Sequence, residues 1–238
     1  MNPVLYIPVC TTVLSFAFAW VVFQRFRLRR TPHLLWWSIG ILTFGVGTFT
    51  EAFTAIVGWH EPVFRAWYIT GALLGGAPLA QGTVYLLLPR KTADRIAIAV
   101  TAFILVASLF AILTPIDGSI AEEHKLSPKV IDWTWIRAFS PFINTYAAIF
   151  LIGGAIYSAI KFKRSGDQPE RVKANVLIAA GAILPGIGGS FTRAGYTEVL
   201  YVTEFTGIIL IYLGYRLSTS RRPAAVPAAV AAPATAVD

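Results

Sequence analysis

The chain has 238 residues, of which 56% are hydrophobic and 13% are charged, and its formal net charge is +8. Soluble globular domains carry about 25% charged residues, so this composition excludes a water-soluble fold. A single cysteine, Cys10, excludes an intrachain disulfide framework and a cysteine metal cluster. We therefore expect an all-α integral membrane protein with the lipid bilayer as its first partner.

Seven apolar segments are long enough to cross the hydrocarbon core, for which a helix needs about 20 residues. They cover residues 4–23, 34–57, 63–88, 96–113, 136–160, 176–193 and 196–217. We expect these seven helices to form one bundle, a transmembrane domain over residues 1–217. Residues 218–238 are rich in alanine and proline, which predicts a disordered cytoplasmic tail.

Basic residues are concentrated in alternate loops. The first, third and fifth loops and the C-terminal end hold Arg25, Arg27, Arg29, Arg30, Arg90, Lys91, Arg95, Lys161, Lys163, Arg164, Arg171, Lys173, Arg216, Arg221 and Arg222. By the positive-inside rule, this bias predicts an outside N-terminus and a cytoplasmic C-terminus in the cytoplasmic membrane. The positive charge is then a topology signal, and we expect no nucleic-acid partner.

The second and sixth predicted spans carry similar sequences. Residues 40–52 read GILTFGVGTFTEA, and residues 181–194 read GAILPGIGGSFTRA. When Gly189 is skipped, three glycines, a Phe-Thr pair and the last alanine coincide, and Glu51 aligns with Arg193. This match predicts a parallel 3+1+3 internal repeat, with units 4–90 and 136–217 linked by helix 96–113. The alternative is a chance match between two glycine-rich apolar segments.

Glycine and proline interrupt two of the predicted spans. The third span contains Gly75, Gly76 and Pro78, and the sixth contains Pro185 and Gly186. Proline removes a backbone hydrogen bond and can kink a helix, and interrupted helices occur at transporter sites. Small residues also let helices pack closely, which explains the same pattern without a site.

Ionisable side chains inside a membrane are costly and usually face the interior of a bundle. Glu51 and Glu204 lie about two turns from the outer ends of the second and seventh spans. Candidate site residues in the same outer half are Arg65, Arg193, Asn144 and Tyr201. We expect an outward-facing polar cavity, with the glutamates as proton or cation sites and the arginines as counter-charges or anion binders. The alternative is two interhelical ion pairs that fix packing.

Binding or transport of a small solute or ion, with proton participation, is the leading functional hypothesis. The second hypothesis is a membrane sensor or an assembly subunit of a larger complex, and the third is a lipid-modifying enzyme that uses two carboxylates. The chain shows no enzyme motif, and we expect no catalytic triad. The three histidines, His33, His60 and His124, lie at or beyond predicted helix ends, so we expect no metal site and no cofactor. A small ligand, a second copy of the chain or a complex partner is compatible with each hypothesis.

Overall fold

The computed structural model describes residues 3–166, 169–193 and 195–219. In this part of the chain all regular structure is helical. The α-helices are α1 (Ile7–Arg29), α2 (Pro32–Val57), α3 (Glu61–Trp67), α4 (Ala77–Leu87), α5 (Arg90–Leu113), α6 (Phe139–Ala147), α7 (Gly154–Ser165), α8 (Pro169–Arg193) and α9 (Thr197–Thr219). The predicted tail lies outside the described residues, apart from its first two positions, which extend α9.

Among the described residues, six helical segments are long and apolar enough to cross a membrane. They are Ile7–Arg29, Pro32–Val57, Arg90–Leu113, Thr134–Ser165, Pro169–Thr192 and Thr197–Thr219. Each overlaps one of the predicted spans, so the prediction of an all-helical, multi-pass membrane protein is confirmed at this level.

The predicted third span, 63–88, is an interrupted helix. Helix α3 continues into a π-helical segment, Tyr68–Leu74, which stops at Gly75, and α4 then begins at Ala77. Gly75 has φ +40° and ψ −125°, a backbone conformation that L side chains rarely adopt. Gly75, one of the residues that indicated an interruption in the sequence, therefore lies at the break itself.

Two other helices are irregular at their centres. A π-helical segment, Ala148–Gly153, joins α6 to α7, and Pro185 lies inside α8. Proline has no backbone N–H and crowds the preceding turn, so it weakens the helical ladder there. Extra residues in a π-turn shift the direction of the side chains that follow.

Close backbone contacts hold the helices together. Helix α1 packs along α2, α2 along α4, and α8 along α9, while α1 also contacts α9. A Cβ placed on Gly40 would lie 2.7 Å from Leu79 Cγ, and one on Gly181 would lie 2.6 Å from the Gly207 carbonyl oxygen. These glycines permit an approach that a methyl group would prevent.

A buried polar group joins three helices near the loops rich in arginine and lysine. Gln81 on α4 is almost fully buried, and its Nε2 donates to the Ala93 carbonyl on α5 at 3.0 Å. The hydroxyl of Tyr146 on α6 donates to Gln81 Oε1. Both ends of the amide are therefore satisfied between helices, as a polar group in a membrane requires.

The loop between α5 and α6 folds back over the end of α2. Its regular structure consists of three 3₁₀ segments, Gly118–Ile120, Pro128–Val130 and Thr134–Ala138. Leu126 is buried, and His124 Nδ1 lies 3.4 Å from the carbonyl oxygen of Thr54 on α2. Asp117 accepts hydrogen bonds from the hydroxyl and the backbone N–H of Ser119, which hold its pKa below the ordinary value. We call this end of the bundle the loop end. The opposite end carries the arginine-rich first loop, and we call it the basic end.

Candidate carboxyl-pair site

A cavity of about 660 Å³ lies among the helices. Its walls come from α2, the interrupted third segment, α6 with its π-helical continuation, α8 and α9. Most lining side chains are apolar, and the polar ones are Thr48, Glu51, Trp67, Thr70, Asn144, Ser190 and Glu204. A site of this size, largely apolar with a few polar groups, is typical of small-molecule binding.

The irregular helix segments converge on this cavity. Gly75 and Gly76 at the break, Ala148 in the second π-helical segment, and Pro185 in α8 all line it. In a membrane, backbone groups outside a regular helix are tolerated where protein covers them or where they line a cavity. The positions of the breaks therefore agree with the position of the cavity.

Two carboxyl groups meet in the wall of the cavity. Glu51 on α2 is 6% exposed, and its Oε1 accepts a hydrogen bond of 3.0 Å from Trp67 Nε1. The carboxyl of Glu204 on α9 lines the same cavity and is close enough to the Glu51 carboxyl to interact with it electrostatically. Glu51 Oε2 receives no hydrogen bond from a described N–H or hydroxyl group. Two ionised carboxylates held side by side repel each other, so their proximity favours a proton on one of them.

The described side chains that line the large cavity carry charge of one sign. Glu51 and Glu204 are the ionisable ones among them, and no described lysine, arginine or histidine contributes to the wall of this cavity. A carboxyl pair without a facing cation favours a proton or a positively charged ligand over an anion.

Asn144 and Tyr201 line different cavities beside the carboxyl pair. Asn144 lines the cavity beside the helix break, and its Oδ1 would lie 3.3 Å from a Cβ placed on Gly75. Tyr201 is buried and lines a small pocket of about 10 Å³ with Glu51 and His124. This pocket lies towards the loop end, between the carboxyl pair and the folded loop, and has room for about one water molecule.

The structure places Arg65 in a different environment from the carboxyl pair. Its guanidinium group bonds to Glu61, with an Nη2–Oε1 distance of 2.6 Å. It also donates to the carbonyl oxygens of Ala111, Ile112 and Thr114 at 2.7–2.9 Å. These carbonyls form the C-terminal end of α5, where a cation is favourable. Arg65 thus caps the C-terminal end of α5. The side chain of the other candidate arginine, Arg193, lies outside the described part of the chain.

Sequence reasoning missed two parts of this site. It did not assign Trp67 to the site, although the indole N–H donates to Glu51. Sequence reasoning also offered Arg65 as a counter-charge in this site, whereas Arg65 bonds elsewhere and the two glutamates line the same cavity. Helical spacing shows which residues share one helix face, but it does not show which faces of different helices meet.

Comparisons with known proteins return no relative: no family model, no curated protein and no solved structure matches this chain.

Proposed function

We propose that this chain is a seven-helix protein of the cytoplasmic membrane that binds a small solute or ion at the Glu51–Glu204 pair and exchanges it for a proton. The proximity of the two carboxyl groups, in the wall of a cavity to which no basic side chain of the described residues contributes, carries the proposal. In this proposal α3, its π-helical continuation and α4 together form the third span. The N-terminus and the loop end face outside. The ligand is transported because the carboxyl pair opens in turn to the outer side and to the cytoplasmic side of the membrane.

The proton exchange follows from the chemistry of the pair. Without ligand, one proton lies between Glu51 and Glu204, so the pair carries one negative charge. A monovalent cation that enters the cavity favours ionisation of both carboxyl groups, and the proton leaves. One positive charge enters and one departs, so the charge of the protein–ligand complex stays constant.

Two glycine contacts support the parallel repeat that we propose for the bundle. Gly40 packs on Leu79 in the third span, and its counterpart Gly181 packs on Gly207 in the seventh. Gly47 lies over Gly71 in the third span, and its counterpart Gly188 lies against Leu200 in the seventh. Equivalent positions of the second and sixth helices thus contact the helix that follows each of them in its unit.

A lipid-modifying enzyme is the second candidate function. It requires two carboxyl groups reachable from the bilayer, and the cavity does reach the protein surface at the exposed residues Ile183 and Ile187. An enzyme of this kind would convert a lipid in the presence of both glutamates and would not require net exchange of a proton. The sensor hypothesis differs in needing a cytoplasmic partner.

Infrared spectroscopy of the purified protein tests the shared proton. At neutral pH the wild-type protein should show the carbonyl band of a protonated carboxyl group, and Glu51→Gln or Glu204→Gln should remove it. Each substitution keeps the size of the side chain, and a glutamine at position 51 can still accept from Trp67. The control is Glu198→Gln, at an exposed position on the same helix as Glu204. A wild-type spectrum without the band, or a band that survives both site variants, would refute the proposal.

A further inference from the structure

The cavity is open to the protein surface along one side. On α8, Ile183 is 39% exposed and Ile187 is 43% exposed, and both residues line the cavity. On the facing segment, Asn144 and Ala148 are also exposed and also line it. The opening therefore has α8 on one side and α6 with its π-helical continuation on the other.

Helix packing explains why the opening lies there. Helix α6 packs on the interrupted third segment, α4 and α5, whereas α8 packs on α7, α9 and the π-helical segment Ala148–Gly153. The two helices therefore diverge towards the loop end. A Cβ placed on Gly186 or Gly189 would meet no described atom within 4 Å, so side-chain bulk is missing from α8 at this gap.

The surroundings of the opening are apolar. Ile183 and Ile187 lie on the exposed face of a helix that is long and apolar enough to span the membrane, so this face contacts lipid chains. Inside, apolar walls that include Leu200 and Ile208 lead to the carboxyl pair. A ligand that enters here meets hydrocarbon first and two acidic groups last.

We infer that the ligand is a lipophilic cation, an ammonium or phosphonium centre with apolar bulk, which enters sideways from the bilayer between α6 and α8. This inference rests on the proposed function and adds the class of ligand and its route. The volume of about 660 Å³ falls in the range of sites for organic molecules and far exceeds the needs of an inorganic ion. The acids provide the charge complement, and the apolar walls provide the hydrophobic contact that a hydrophilic cation would not use.

Calorimetry with tetraphenylphosphonium in detergent micelles tests the ligand class. We expect binding with release of about one proton at neutral pH, measured in two buffers of different ionisation enthalpy. Tetramethylammonium, with the same charge and little apolar area, should bind at least about tenfold more weakly. Glu204→Gln should weaken tetraphenylphosphonium binding by about tenfold or more, and the exposed control Glu198→Gln should leave it unchanged.

Stopped-flow tryptophan fluorescence tests the route. Gly186→Leu fills the gap and should slow association of tetraphenylphosphonium by about tenfold. Ala180→Leu adds a larger side chain at an exposed position of the same helix outside the cavity, and should leave the rate unchanged. Equal rates in the two variants would overturn the lateral route.

The two proposals fail in different ways. If tetramethylammonium binds as tightly as tetraphenylphosphonium and both glutamine variants abolish that binding, the lipophilic class is refuted and the carboxyl-pair function stands. If tetraphenylphosphonium binds equally to the wild type and to both glutamine variants, the inferred site is refuted. If the wild-type spectrum lacks the band of a protonated carboxyl group, the proposed function is refuted, whatever the binding measurements with the two cations show.

Discussion

The contact between α8 and α9 at Gly181 should not tolerate one added methyl group. A Cβ at Gly181 would lie 2.6 Å from the Gly207 carbonyl oxygen and 3.0 Å from the backbone nitrogen of Ile211. Carbon–oxygen contacts in proteins begin near about 3.3 Å, so the helices would have to separate by about 0.7 Å. Because backbone atoms cannot rotate away as a side chain can, we expect an overpacking cost of about 1–3 kcal/mol.

The same substitution at Gly186 provides the matched control. Gly186 lies on the same helix, and a Cβ there would meet no described atom within 4 Å. Both substitutions gain the same helix propensity, about 0.5–1 kcal/mol, so their difference isolates the steric cost.

Melting of the purified proteins in detergent, followed by tryptophan fluorescence, measures this difference. At about 2–4 °C for each kcal/mol, Gly181→Ala should melt about 2–12 °C below Gly186→Ala. Equal melting midpoints would show that α8 and α9 do not approach each other to backbone contact at Gly181.

Two further predictions concern the ends of the bundle. Arg65→Gln removes donors from the carbonyl end of α5 and should cost about 1–3 kcal/mol of stability, whereas Arg90→Gln, at an exposed ion pair, should cost little. The affinity for tetraphenylphosphonium should be unchanged in Arg65→Gln. A variant of normal stability that binds tetraphenylphosphonium more weakly would show that Arg65 contributes to ligand binding. In a Cys10→Ser background, single cysteines at positions 60 and 120 should react with an impermeant thiol reagent in intact cells, and one at position 165 only after permeabilisation. The reverse pattern would refute the proposed orientation.

Local sequence signals located the helices and the helix breakers correctly. Length and apolar content depend on each segment alone, so six of the predicted spans correspond to long apolar helices. Gly75 carried a visible signal for an interruption, because glycine suits the backbone conformation found there. The π-helical segment Ala148–Gly153 carried a weaker signal, since Gly153 lies at its end and the residues before it are common in apolar helices.

Contacts between distant helices were harder to predict from the sequence. Glu51 and Glu204 were each recognisable as costly intramembrane acids, and Arg65 was one of the candidate counter-charges. That expectation omitted the competing bonds of Arg65, which Glu61 and the end of α5 satisfy at short distance. A local ion pair four residues away is reached without any constraint on helix packing, so it forms in preference to a pair across the bundle.

Four glycines within helices of this chain fall into two groups, and the difference bears on function. Gly40 and Gly181 lie where a Cβ would clash with a neighbouring helix, so close packing accounts for them. Gly186 and Gly189 lie where a Cβ would meet no described atom within 4 Å, although both line the cavity. Close packing cannot explain glycines that touch nothing, and glycine in a helix interior costs about 0.5–1 kcal/mol relative to alanine. A requirement for open space beside the carboxyl pair does explain them, which favours a cavity that admits a ligand over one left by imperfect packing.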